Sequence, residues 1–312
     1  MVVSIPKTRV ILNPASANGA TYKKVSGLKS ALNAVLGEYE FALTEAPEHA
    51  IELSREAVAA GYELVVAVGG DGTNNEVVNG FFDSDSQRIE SPTRFAFLAS
   101  GTGGDLRRTV GHSIKLEKAV AYLRNAKVQR IDLGRATTTT TQGETTRIYI
   151  NSATFGLSGF VGQMLLNNSK NLGATGTYLY NTLKGLLTYE PQPVQVKCAE
   201  KQWQGTVAVA GFCNGRFFGG GMQFAPHALL ADQKLDGVIV EGMSLPRWLM
   251  SIPKVYTGRH QFMDIVHMFQ TQFVEVTCDG ALEQVHIELD GELTGTLPAR
   301  FEIVPQSLDI LI

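Results

Sequence analysis

The chain has 312 residues, of which 44% are hydrophobic and 18% charged, and a formal net charge of −3. This is the balance of a globular protein with room for two cores, and a slightly acidic chain without a Lys/Arg-rich run has no general attraction for nucleic acid. No apolar run reaches the roughly 18 residues of a spanning helix, and the first residues lack a basic flank, apolar run and cleavage site in secretory order, so a cytoplasmic protein is expected.

From residue 8 onward, strand-like and helix-like segments alternate. "TRVILN" (8–13) predicts a strand, the periodic stretch 22–36 a helix, "YEFALT" (39–44) a strand and "EHAIELSREAVAAG" a helix, followed by the strand "ELVVAV", another helix and the strand "RFAFLAS" (94–100). Repeated βα units of this length imply an α/β N-terminal domain with a parallel sheet flanked by helices. After Arg130 the texture changes. Two strands are expected around Gln142-Gly143, and then "PVQVKCAE", "GTVAVAGFCNG", "DGVIVEG", "FVEVTCDG", "QVHIELDGE", "ARFEIVP" and "SLDILI" read as short alternating strands. That pattern predicts an antiparallel β-sandwich C-terminal domain, interrupted by helical inserts near 161–187 and 247–255. The expected domains are 1–131 and 132–302, with 303–312 free to return to the first.

Three loops follow the strands of the first domain. "NPASANGATYKK" comes after the first strand, "GGDGTNNEVV" after "ELVVAV" and "SGTGGDLRR" after "RFAFLAS". Ligands of open parallel sheets bind at such strand ends, where small residues let phosphate approach the backbone and helices begin. Thr73 with Glu76 reads as a capping box, and Thr102 with Asp105 as a weaker relative. Capping alone accounts for either loop; two of them at adjacent strand ends, one carrying Asp71 between Gly70 and Gly72, point toward phosphate binding. Neither loop is a P-loop, and "GTGGDL" has leucine where the dinucleotide fingerprint needs its third glycine. The six histidines form no metal-binding spacing, and Cys198, Cys213 and Cys278, odd in number and without a CxxC pair, read as reduced thiols.

Phosphoryl transfer needs charge neutralisation and a base near the attacking hydroxyl, so carboxylates are required to hold Mg²⁺. Asp71 suits that task. A second acidic pair, Asp290 and Glu292, lies in "HIELDGELTG". If the strand runs through them, their spacing puts both on one face; the competing reading makes Asp290-Gly291 a hairpin turn.

With these motifs the chain resembles, nearly end to end, the bacterial lipid kinases with a diacylglycerol kinase catalytic domain, relatives of sphingosine and ceramide kinases. "NPASANG" looks like the family's first nucleotide loop, "GGDGTNNE" its signature, "SGTGGDLRRTVG" its GTxND(F/L)AR loop, "IDLGR" its domain junction and "YINSATFGLSG" the start of its second domain; "NGRFFGGGMQFAPHALLADQKLDG" and "LDGE" resemble later blocks. The resemblance implies a two-domain kinase that binds ATP on the first domain through Asn13, Pro14, Ser16 and Thr44, through Gly69, Gly70, Asp71, Gly72, Thr73, Asn75 and Glu76, and through Gly101 and Thr102. It implies lipid in the cleft between the domains and Asp290 or Glu292 deprotonating its primary hydroxyl opposite Asp71. It also implies Mg²⁺, with Asp132 in the acidic network, and a cation at Asp232 completed by the main-chain carbonyls of Leu229 and Lys234. Two positions depart from the family: Gly104 stands where GTxND has asparagine, and Gln233 where glycine is frequent.

A membrane substrate implies peripheral contact at the inner face of the membrane. Segment 244–262 mixes Trp248, Leu249, Met250 and Ile252 with Arg247, Lys254 and Arg259, and 169–191 offers Tyr178, Leu179, Leu183, Leu186 and Leu187 with Lys170 and Lys184. Core packing is the competing reading for both. Exposed sandwich edges can pair into a homodimer. Two other functions compete: a kinase of a soluble substrate such as NAD, since GGDG occurs there also, and a lipid-binding or regulatory protein without catalysis, for which Gly104 speaks.

Overall fold

The computed structural model describes residues 7–100, 104–167 and 173–312. The chain folds as two compact units, Met1–Ile131 with Gln306–Ile312, and Asp132–Pro305.

The first unit contains β1 (Thr8–Leu12), a 3-10 turn (Ser16–Gly19), α1 (Ala20–Lys23), α2 (Val25–Leu36), β2 (Glu40–Leu43), α3 (His49–Ala59), β3 (Leu64–Gly69), α4 (Asp71–Asn79), β4 (Arg94–Ala99), α5 (Asp105–Val110) and α6 (Leu116–Asn125). Strands β2, β1, β3 and β4 lie in that order and pair in parallel, and Ile310 near the C-terminus adds in parallel beside Phe95. Every residue of β3 is buried, which is why "LVVAVG" reads as one continuous apolar run. On one face Val10, Leu12, Val66 and Val68 meet Leu28, Leu32 and Leu36, spaced four apart along α2, together with Val120 of α6. On the other face Phe81 packs edge-on against Phe95. The carboxyl ends of β1, β3 and β4 therefore deliver Asn13, Gly70 and Ser100 to one edge of the sheet.

The chain continues through β5 (Val128–Thr140) into the second unit, which holds β6 (Gly143–Tyr149), β7 (Ser152–Gly156), α7 (Leu157–Asn167), α8 (Gly173–Thr188), β8 (Gln192–Lys197), β9 (Gln202–Cys213), β10 (Leu235–Glu241), α9 (Leu245–Tyr256), a 3-10 turn (Arg259–Phe262), β11 (Val266–Thr271), β12 (Phe273–Thr277), β13 (His286–Leu289) and most of β14 (Glu292–Leu311). The strand pairs within this unit are antiparallel. Strand β9 is buried on both faces along its second half: Ala210 and Phe212 join a core with Phe155, Ile239 and Phe301, while Val209 and Cys213 join another with Leu157, Val161 and Val238.

Several elements differ from the sequence expectation: α6 was not foreseen, and the insert near 161–187 comprises α7 and α8. "ARFEIVP" and "SLDILI" form one strand, β14, whose early residues pair antiparallel with β13 and β12 and whose Ile310 pairs parallel with β4. Strand β11 was not expected, because its residues are all half-buried until Thr271 and so show no alternation. Among the described residues no helix is long and apolar enough to cross a membrane.

Candidate functional site

In the first unit the strand-end loops are tied together by hydrogen bonds. Asn13 donates from Nδ2 to Thr73 Oγ1 (3.2 Å) and accepts from Ala15 N–H on Oδ1 (2.9 Å). Ser16 Oγ donates to the Asn13 carbonyl (2.8 Å) and lies 2.6 Å from Thr21 Oγ1, which contacts Ser100 Oγ at 2.5 Å. Pro14 lies between Asn13 and this turn, and buried Thr44 follows β2 with its N–H on the Leu12 carbonyl (3.0 Å). Gly69 has no space for a side chain, since a Cβ there would fall 2.4 Å from Thr73 Oγ1, whereas a Cβ on Gly70 would meet nothing within 4 Å. The backbone at Gly70 is thus open to a ligand, with Gly72 one residue beyond Asp71 in the first turn of α4.

Asp71 is the hub. Its Oδ2 accepts the N–H groups of Gly104 (2.8 Å) and Asp105 (2.9 Å), and its Oδ1 that of Leu106 (3.3 Å). The carboxylate therefore caps α5 from the first residue of α4 and satisfies donors that a helix start leaves without partners. The expected capping box of Thr73 with Glu76 does not form: α4 starts at Asp71, which makes Thr73 an internal residue, and neither Gly70 at the start of α4 nor Gly104 at the start of α5 supplies a side-chain cap. Glu76 instead accepts the Ala50 N–H at the start of α3 (3.3 Å), and Asn75 takes the Asn79 side-chain amide on its carbonyl and Oδ1. Gly101 and Thr102 lie outside the described residues.

The second unit contains a comparable hub. Asp290 and Gly291 have φ of +49° and +93° between the paired residues Leu289 and Glu292, so they form the tight hairpin turn. The strand does not run through the acidic pair, and the one-face arrangement fails: Asp290 is buried while Glu292 is exposed. Asp290 takes the N–H groups of Ile150 (2.7 Å), Asn151 (2.8 Å) and Ser152 (2.9 Å) on its two oxygens. From there the network extends through Asn214, which sequence reasoning missed. Its Nδ2 donates to the carbonyls of Ile150 and Asp132, each at 2.8 Å, and fully buried Asp132 accepts the Gln233 N–H on Oδ2 (2.6 Å).

Beyond Gln233 lies the expected cation position. Asp232 accepts the Lys234 N–H (3.2 Å), and Gln270 Nε2 stands between Asp232 Oδ2 (3.4 Å) and Asp236 Oδ2 (3.5 Å). Asp236, also missed, is pushed up to about 6, chiefly by burial and further by the charge of Asp232, against the Gln270 hydrogen bond. Leu229, on the same turn, is exposed. Among the described residues no three His, Cys, Asp or Glu side chains converge as a metal cluster.

Comparison with known proteins accounts for nearly the whole chain. Residues 7–136 match the diacylglycerol kinase catalytic domain, and residues 151–312 match the YegS C-terminal NAD kinase beta sandwich-like domain. A probable lipid kinase YegS-like of Pseudomonas putida is 29% identical over 83% of this chain and 80% of its own length. A diacylglycerol kinase of Mycobacterium tuberculosis is 26% identical over 98% of this chain and 95% of its own. The crystal structure of a putative diacylglycerol kinase from Bacillus anthracis shares the fold with a TM-score of 0.76 at 19% identity, covering 99% of this chain and 98% of that one.

Proposed function

The chain belongs to the bacterial lipid kinases with a diacylglycerol kinase catalytic domain, and from that premise we propose that it transfers the γ-phosphoryl group of ATP to a primary hydroxyl of a membrane lipid, diacylglycerol or a relative. The observation that carries this reading is the Asp71 carboxylate, which locks the 104–106 backbone to the glycine turn while Gly70 stays open to a phosphate. Asn13 and Thr73 hold the neighbouring loop in register, and Glu76 and Asn75 support α4 from behind.

Of the two hairpin acids, Glu292 suits the base. Asp290 is buried with its carboxylate already engaged by three main-chain donors, whereas Glu292 is exposed and can take the hydroxyl proton from substrate. Mg²⁺, when bound, would neutralise charge on the phosphates. A carboxylate offers about four acceptor positions, so Asp71 keeps roughly one for a hydrated cation. Asp232, with the carbonyls of Leu229 and Lys234, would hold a second cation. There two carboxylates face the one amide of Gln270, whose Oε1 takes the Lys234 ammonium at 3.3 Å, and a hard cation would offset the negative charge that remains. Asp132 would serve by holding the Gln233 turn beside it.

Contact with the bilayer would come from α9 and the turn after it. Leu249, Met250 and Phe262 are exposed apolar groups, and Lys254 and Arg259 are exposed cations, suited to anionic headgroups. Trp248 does not belong to this surface, since it packs on the core with Val238 and Ile265, and Ile252 is half-buried. In α8, Leu183 and Leu187 are exposed while Leu186 packs inward; Lys170 and the side chains of Tyr178 and Leu179 lie outside the described residues. Pairing through strand edges would make a homodimer.

The test is transfer of label from γ-labelled ATP with Mg²⁺ into a mixed bacterial lipid extract, with Asp71→Asn and Glu292→Gln beside the unaltered protein. A labelled lipid that both substitutions abolish is the expected result. Label in NAD and in no lipid would turn the reading to a soluble-substrate kinase, and label in neither would turn it to a binding protein.

A further inference from the structure

We propose that Arg107 grips the phosphates of the nucleotide, using the space that Gly104 leaves open by having no side chain; this rests on the kinase reading above. Gly104 is buried and has a φ of +71°, and a Cβ built on it would stand 3.1 Å from Arg107 Nε, 3.6 Å from its Cβ and 3.8 Å from its Cδ. The arginine side chain is therefore laid across the glycine. The same glycine donates its N–H to Asp71 Oδ2 at 2.8 Å, so the guanidinium lies beside the hub of the loops, within electrostatic range of Asp71 and Asp105.

The two consecutive arginines of this loop have different partners. Arg108 pairs with Asp105 at 3.0 Å. Arg107 has no carboxylate at ion-pair distance among the described residues, and its Nη1 donates to the His112 carbonyl at 3.1 Å. That anchor is firm: His112 N–H returns a bond to the Arg107 carbonyl (2.9 Å), and the His112 ring stacks on Phe97 with centroids 5.3 Å apart and lies 4.1 Å from Tyr122. Arg107 Nε is buried and meets no acceptor among the described residues. A buried N–H without a partner is unfavourable, and a guanidinium presents its donors as a planar fork matched to phosphate oxygens. Burial, and then the charge of Arg108, lower the pKa of Arg107 from its ordinary value, as expected of a cation awaiting an anion. A phosphate oxygen supplies both the missing acceptor and the missing charge.

The experiment compares binding of ATP and of adenosine by calorimetry, with thermal unfolding, for the unaltered protein, Arg107→Ala, Arg107→Lys, Gly104→Asn and the double variant Gly104→Asn/Arg107→Ala. Loss of a charged hydrogen bond predicts ATP affinity about 10- to 100-fold weaker in Arg107→Ala, with adenosine affinity and the thermal midpoint unchanged. Arg107→Lys should recover part of the loss, because a point charge keeps attraction without the fork. Asparagine tolerates positive φ, so Gly104→Asn tests the side chain: it should weaken ATP when Arg107 is present and add no further loss when Arg107 is alanine. ATP binding by Arg107→Ala as tight as by the unaltered protein overturns the proposal, as does an equal weakening of ATP and adenosine. An unaltered protein that binds no ATP overturns the kinase reading itself, and this proposal with it.

Discussion

Asp71 in the first unit and Asp290 in the second each gather three main-chain N–H groups on one carboxylate, but the first does so half-exposed at the end of a parallel strand and the second buried inside a two-residue hairpin. The donors differ too. Those of Asp71 belong to the start of a short helix, and those of Asp290 to residues 150–152; both sets are buried, so the exposure of the carboxylate is what sets the two apart. The difference separates roles that the sequence presents alike. An acid that is itself buried holds the fold, and one that stays half-exposed beside open backbone can also meet a ligand. Asp236 provides a contrast to both, being buried with the amide of Gln270 as its side-chain donor, and its pKa rises accordingly.

The sharpest test of this division lies next to the buried hub. Glu292→Gln should slow phosphoryl transfer by about 10²- to 10⁴-fold, the range of a lost general base, and leave the thermal midpoint in place; transfer at the unaltered rate would move the base elsewhere. Asp290→Ala should instead destabilise the protein by about 3–5 kcal/mol, as when one partner of a buried charged group is removed, read from the urea midpoint. Asp236 tests the converse case. Its folded pKa of about 6 lies above the 3.8 of an ordinary aspartate, so the folded state holds the proton more tightly and stability falls as pH rises from about 4 through about 6, by at most roughly 3 kcal/mol. Asp236→Asn should flatten that slope in urea unfolding series, and an unchanged slope would assign it to other groups. The smallest effect is expected at Asp71→Ala, about 1–2 kcal/mol of stability in the range of a lost helix cap, alongside loss of transfer. A stability loss there as large as that of Asp290→Ala would erase the distinction between the two hubs.

The Gly104 position shows how local motif reading falls short. Against the GTxND(F/L)AR pattern it resembles, the sequence has a glycine where asparagine is expected; the structure lays the Arg107 side chain against that glycine from three residues away. Helical spacing brings residues three apart onto neighbouring positions, but which of two adjacent arginines would turn toward the glycine depended on Asp105 taking Arg108 and on the His112 carbonyl receiving Arg107.

By itself the sequence determined the element types and the places where chemistry collects. Continuous apolar runs such as "ELVVAV", periodic helices and glycine-rich strand ends are local patterns, and the physics behind them, burial and backbone freedom, acts over a few residues. Asp-Gly at 290–291 carried its turn in the same local way, as one of two open readings. Tertiary structure decided the partners. Thr73 and Glu76 read as a capping box, yet the helix starts two residues before Thr73 and Glu76 caps α3. Asn214 and Asp236 lie at the two ends of the block "NGRFFGGGMQFAPHALLADQKLDG", whose local pattern assigns them no role, and they matter because distant segments bring a carbonyl or a second carboxylate to them. Trp248 and Leu249 are neighbours in one amphipathic stretch, and only packing sends the first into the core and leaves the second in solvent. Hydrogen bonds and ion pairs between residues far apart in the chain depend on distances that no window of sequence contains.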